Sequence, residues 1–360
     1  MTKSEIIILI IVIAIFGLSQ LDIVKVNDNE EISYSNLTDD ELIERSNEAL
    51  KKGEYEDCYN LCDYLISERN LEYPTNNLRV RLFMDLGNFD EAINIMNNIE
   101  KNTSLEDPKL AIIYSNKSSV LHRYATTYNK DCLNEVIEYG MKSLELVNSN
   151  PRQYDHNDWA TTLTIKDIVE AHISNGSYEE AEKLIDRYDE KLSNQFFLLS
   201  QFLLFKNTRD TDKLYEVLKL YETISTEEHP FLDQCNYFYM KGTYEYLTND
   251  IDSIKLTLDD FSSLVEKDNA SQRFYDEIEI LYNLMAENDK EVIILFDKFV
   301  NNYWHVYYSL AGNWLLNEFE QHDVLIETKN YENKILEIEL KSNTYTPFNY
   351  DPDYIIEIEQ

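Results

Sequence analysis

Apolar residues recur at spacings of three and four over most of the chain. Ala92, Ile93, Ile95, Met96 and Ile99 fall on one broad stripe, and Ala181, Leu184, Ile185 and Tyr188 on another. That period predicts amphipathic helices, each with one face to bury. Two stretches break the pattern. Ile6 to Leu18 is an unbroken run of apolar residues and Gly17. From Tyr303 onward the chain turns aromatic, with Tyr303, Trp304, Tyr307, Tyr308, Trp314 and Phe319.

The helical stripes come in pairs separated by a recurring turn. Gly53-Glu-Tyr-Glu-Asp-Cys58, Gly87-Asn-Phe-Asp-Glu-Ala92 and Gly176-Ser-Tyr-Glu-Glu-Ala181 share one design. Each has Gly, an aromatic two residues on, acidic residues, and a small residue five after the Gly. Gly lets the chain leave a first helix with a left-handed backbone angle. Acidic residues then meet the positive end of the second helix dipole. Degenerate copies begin near Asp131, Arg209, Asn249 and Asn288. Pro74, Pro108, Pro151 and Pro230 each come 20 or 21 residues after a turn, where Pro opens the next helix. Gly242 stands seven residues before its turn, at a position where a first helix needs a small residue.

The step from Gly53 to Gly87 is 34 residues, the tetratricopeptide period. With these motifs the chain resembles the tetratricopeptide repeat (TPR) family from Leu42 to Val300. The resemblance implies an all-α, right-handed α–α superhelix of antiparallel helix pairs, a TPR-like solenoid. It departs from the family in the longer steps around Asp131. It also departs where Asn76 and Arg79 replace the aromatic and Leu expected early in a first helix. The family register turns Asn77, Arg81, Lys166, Tyr239 and Tyr246 toward the groove. There Arg and Lys could hold a carboxylate and Tyr could stack on apolar groups.

The expected organisation is a signal anchor or signal peptide over 1–24 and a polar linker over 25–38. TPR-like repeats come next over 39–302, then capping helices over 303–340 and a tail over 341–360. The apolar run reads as an uncleaved anchor helix, as a signal peptide cut before Gln20, or as a buried core helix. Lys3 before the run and acidic residues after it place the body outside the cytoplasm. The aromatic region reads as a cap on the array or as a ligand pocket. The final alternation, Tyr354 to Gln360, reads as a free tail or a docking strand.

Composition narrows the function. The net charge is −36, from 32 basic and 68 acidic residues, so phosphate backbones are repelled and nucleic acid is not an expected partner. Cys58 and Cys62 are four apart on one helix face and read as core packing rather than a metal pair. No metalloprotease, phosphate-loop, nucleophile-elbow or dinucleotide motif occurs. The expectation is a non-catalytic, membrane-tethered scaffold without cofactor or metal, binding a peptide or partner protein and no small-molecule substrate. The alternatives are a secreted or periplasmic binding module and, from another class, an enzyme subunit with its site in the aromatic C-terminal region.

Overall fold

The computed structural model describes residues 34–149, 158–189, 195–223, 230–265 and 271–350. The apolar run Ile6–Leu18 and the end of the tail, 351–360, lie outside the described residues. Among the described residues the protein is all-α, with sixteen α-helices and no strand, and no helix is long and apolar enough to cross a membrane.

The first helices are α1 (Asp39–Lys51), α2 (Tyr55–Ser67), α3 (Glu72–Asp85) and α4 (Phe89–Lys101). Thr38 caps α1 reciprocally with Glu41, satisfying donors at the helix start. Then come α5 (Leu110–Tyr128), α6 (Leu133–Ser149), α7 (Asp158–Ser174) and α8 (Tyr178–Asp189). Next are α9 (Gln195–Thr208), α10 (Thr211–Thr223), α11 (Pro230–Leu247) and α12 (Ile251–Val265). The last are α13 (Gln272–Met285), α14 (Asp289–Asn302), α15 (Leu310–Gln321) and α16 (Thr328–Ser342), with a 3₁₀ turn at Trp304–Val306.

One backbone device recurs at the pair turns. Gly53, Gly87 and Gly176 have φ of 72°, 72° and 70°. Asn129, Arg209, Asn249 and Glu287 take the same left-handed conformation at φ of 53–59°. Five of these seven are the turn positions expected from the sequence. The other two fall at Asn129 and Glu287 rather than at Asp131 and Asn288. At the first, Asn tolerates the left-handed region better than its neighbours do; at the second, Glu287 takes it although Asn288 is adjacent. The acidic cluster that marks such a turn in sequence belongs to the next helix.

Downstream of most of these turns the burial pattern is the same. The residue five positions after the left-handed one is fully buried at Cys58, Ala92, Ala181, Leu214, Ile254 and Val292. The residues four and seven further on are buried as well, as in Cys62 and Leu65, Ile185 and Tyr188, and Phe296 and Phe299. Cys58 and Cys62 are free, buried thiols occupying this stripe. Among the described residues no cluster able to hold a metal ion occurs.

By contact the chain divides into two compact units. One comprises the chain to Ile99 with the segment from Leu340; the other runs from Glu100 to Glu339. In the first, α1 packs on α2 and α3. Tyr345 is buried there, and the Asn88 side chain donates to the Asn343 and Tyr345 carbonyls. Phe348 and Tyr350 meet the rings of Tyr59 and Tyr55. In the second, consecutive helices from α5 to α14 pack as neighbours. The odd-numbered helices also touch one another in order, α5 on α7, α7 on α9, α9 on α11 and α11 on α13. Small residues make close approaches possible. A Cβ at Gly242 of α11 would lie 2.8 Å from the Ile278 side chain of α13, and one at Gly140 of α6 would lie 2.6 Å from Ile168 of α7.

Glu287 is exposed, so its left-handed backbone is strained with no side-chain burial to offset it. Glu287→Gly is expected to stabilise the protein by about 1 kcal/mol. Gly53→Ala, which places a Cβ on a left-handed residue, is expected to destabilise it by a similar amount. Thermal unfolding monitored by far-UV circular dichroism checks both, and opposite signs are the expected result.

Candidate functional site

The odd-numbered helices of the second unit carry polar side chains on the faces where they meet each other and the C-terminal segment. Solvated helices place charge outward, so buried charge at these positions requires partners. Lys206 of α9 is the extreme case. It lies just after the apolar segment Phe202 to Phe205, and its side chain is 1% exposed. Its ammonium donates to Glu277 of α13 at 2.9 Å and to the Tyr239 hydroxyl of α11 at 2.6 Å. Tyr239 in turn donates to Glu277 at 2.7 Å. The ammonium also sits 3.8 Å from the centre of the Trp314 ring. Burial lowers the Lys206 basicity, against the pull of Glu277. Burial and then Glu277 push the Tyr239 phenol well up, so it stays protonated and donates.

A second cluster lies on α5 and α7. His122 stands 3.5 Å from Asp167 and 3.3 Å from Glu170. Lys166 pairs with Glu170 at 2.6 Å, and Ser119 donates to Asp167 in a short hydrogen bond. Burial opposes the charge on both Lys166 and Glu170, yet their mutual attraction prevails. The Lys166 ammonium is held above its usual range and the Glu170 carboxyl below its own.

The segment after α14 returns to these helices. The 3₁₀ turn lies on α5, and α15 lies on α7. Trp304 stacks on Tyr128 with ring centres 6.0 Å apart. Glu318 of α15 is 1% exposed. It accepts from Arg209 at 2.6 Å and from the Tyr246 hydroxyl at 2.8 Å. Tyr246 also meets His322 at 3.0 Å and the Trp314 ring edge-on. The Phe296 ring packs against those of Tyr307 and Phe319. His305 is reached by solvent. The density of protein around its imidazole, and after it the charges of Arg273 and Arg123, nonetheless pulls it down to about 4.

The five groove residues expected from sequence fall in two places. Asn77 and Arg81 belong to the first unit. Both are half-buried, and Arg81 donates to the Asn47 amide oxygen at 3.0 Å. Lys166, Tyr239 and Tyr246 belong to the second unit and take part in its polar clusters. Tyr239 and Tyr246 are buried, with hydroxyls committed to Glu277 and Glu318. In this arrangement they link helices instead of offering open ring faces. The partners that organise the inner layer, Lys206, Glu277 and Glu318, do not emerge from the sequence pattern. For Lys206 a signal exists: a lone lysine beside an apolar helical run implies a buried counter-charge. Glu277 and Glu318 carry no such mark, because acidic residues are abundant throughout.

Comparison with protein-family models and with curated proteins gives no match.

Removing one member of a buried ion pair strands the other's charge. Lys206→Met is therefore expected to destabilise the protein by about 3–5 kcal/mol. Adding Glu277→Leu to that variant is expected to recover most of the loss. Urea unfolding of the two variants and the wild type tests this; a double variant no more stable than Lys206→Met would show that the stranded Glu277 charge is not the source of the loss.

Proposed function

We propose that this protein is a membrane-tethered, non-catalytic scaffold that binds a peptide or partner protein along the odd-numbered helices. In this reading the helix pairs form a TPR-like right-handed superhelix, and the body lies outside the cytoplasm behind the N-terminal apolar segment. The observation that carries it is the layered order of α5, α7, α9, α11 and α13, each packed on the next. Such a layer presents side chains from many separate sequence segments to one ligand, as extended repeat surfaces do. Among the described residues, charged side chains on these helices pair with one another, Lys206 with Glu277 and Lys166 with Glu170. The apolar run Ile6–Leu18 supports the tether.

The test is affinity capture of the full chain from its native membranes in mild detergent, with mass spectrometry of the co-purifying proteins. Lys166→Gln, checked for unchanged helicity, is the control. Specific partners lost with the variant support a binding surface on the odd-numbered helices. Partners retained by the variant overturn that placement. A chain that elutes alone after cross-linking overturns the scaffold. Recovery of the chain in the soluble fraction, beginning near Gln20, overturns the tether in favour of a cleaved signal peptide.

A further inference from the structure

Residues 343–350, which follow α16, belong to the first unit but to none of its helix pairs. They lie against α2 and the turn that opens α4. Tyr345 is 1% exposed and Pro347 is buried, whereas Thr346, Phe348 and Asn349 are exposed. The Phe348 ring meets that of Tyr59 with centres 5.3 Å apart, yet the residue is 57% exposed. The Tyr350 ring lies 5.2 Å from Tyr55 and 5.1 Å from Tyr345. Tyr59 is itself held in place, by an Arg79 guanidinium 5.0 Å from its ring centre that donates to its hydroxyl at 3.2 Å.

One side chain reads the main chain of this segment. The Asn88 amide nitrogen donates to the carbonyls of Asn343 at 3.4 Å and Tyr345 at 3.0 Å. Its amide oxygen caps α4 by accepting from the Glu91 N–H at 3.2 Å. The cap fixes which end of the amide points at the segment. Main-chain hydrogen bonds, with alternate side chains sent into the surface, are how extended peptides are recognised. The segment is also shaped by its own bonds. Asn349 accepts from the Thr346 N–H at 2.5 Å and from the Thr346 hydroxyl at 2.9 Å, and donates to the Thr344 carbonyl at 3.2 Å. A detached peptide of the same residues can form the same turn, which lowers the ordering cost of binding. Residues 343–350 carry no charge, in a chain of which 28% is charged, so the face they cover takes a neutral ligand. Their seat is imperfect, because the Asn343 side-chain oxygen is buried without a hydrogen bond. That desolvation cost makes the segment displaceable.

We propose that the face formed by Tyr55, Tyr59 and Asn88 is a binding site for an uncharged peptide with the spacing Tyr-x-Pro-Phe, and that residues 343–350 fill it as a tethered ligand. A partner bearing such a segment takes the place of the chain's own by exchange. Being on the same chain, the resident segment acts at an effective concentration on the order of 1 mM. A partner at micromolar concentration therefore enters only once the resident segment is released. The site belongs to the first unit and stands independently of the surface on the odd-numbered helices of the second.

The probe is a fluorescein-labelled peptide with the sequence of residues 343–350, titrated into the full chain in detergent micelles and read by fluorescence anisotropy. Two variants open the site, Tyr345→Ala and a full-length chain in which residues 343–350 are replaced by Gly and Ser. The expected result is saturable binding to both variants, and binding at least about tenfold weaker to the wild type. Replacing Tyr345 by Ala in the peptide is expected to abolish binding, and so is adding Asn88→Asp to Tyr345→Ala. Asn88→Asp keeps the acceptor that caps α4 and removes only the donor, so the helix content read by circular dichroism is expected to stay unchanged. Binding to the wild type as tight as to the opened variants overturns the self-occupation. Opened variants that keep their helix content and bind no peptide overturn the site, leaving the segment a structural closure. Loss of helix content in both variants does the same; where only one loses it, the other decides. Binding that survives Asn88→Asp, or the loss of the peptide's Tyr, puts the peptide elsewhere and overturns the site as well.

Discussion

The arrangement of the second unit depends on where each helix pair turns. A left-handed residue ends the first helix, and the fifth residue beyond it begins the buried stripe of the second. Because the helical period is 3.6, moving that turn by one residue would rotate the next stripe by about 100°. The apolar face would then leave its neighbour. The constraint is strong enough that Arg209, Asn249 and Glu287 accept a backbone conformation that favours glycine. Each such residue costs about 1 kcal/mol. Burial of a stripe such as Val292, Phe296 and Phe299 offsets it several times over.

Fixing the second helices also fixes what the first helices present. With their own apolar faces committed to the pair, the odd-numbered helices meet along faces that include charged residues. Gly242 brings α11 close to α13, in the same layer where Tyr239 and Glu277 share a hydrogen bond. Lys206 reaches both from α9. Three consecutive odd helices are thereby joined through one buried ion pair and one phenol. Apolar residues could bind the helices as tightly, but a buried ion pair tolerates few alternative registers. The C-terminal segment extends the same logic. Trp314 covers the Lys206 ammonium, and Glu318 answers Arg209, so α15 is placed by charge as well as by its aromatic residues.

The repeats are legible in the sequence to the degree that glycine marks them. Gly53, Gly87 and Gly176 announce their turns because no other residue explains an isolated Gly before an acidic, apolar-periodic segment. Arg209 and Asn249 are located by the segments after them, and their left-handed backbone carries no chemical mark. Around Asp131 the helix and its buried Val136 fall where the motif implies, but the left-handed residue is Asn129, two positions earlier, because the turn there is longer. The polar layer is far less legible. Register along one helix predicts which way Tyr239 points, yet only the packing of α9, α11 and α13 shows that Glu277 and Lys206 meet it. Pairings between residues 38 and 71 positions apart leave no periodic trace.

The overall acidity sets the background for that layer. A chain of net charge −36 repels small anions at long range. At physiological ionic strength that repulsion fades over about 8 Å. Lys206, Lys166 and Arg209 each meet a carboxylate oxygen well inside that distance, so these pairs are governed by local geometry and not by the charge of the whole chain.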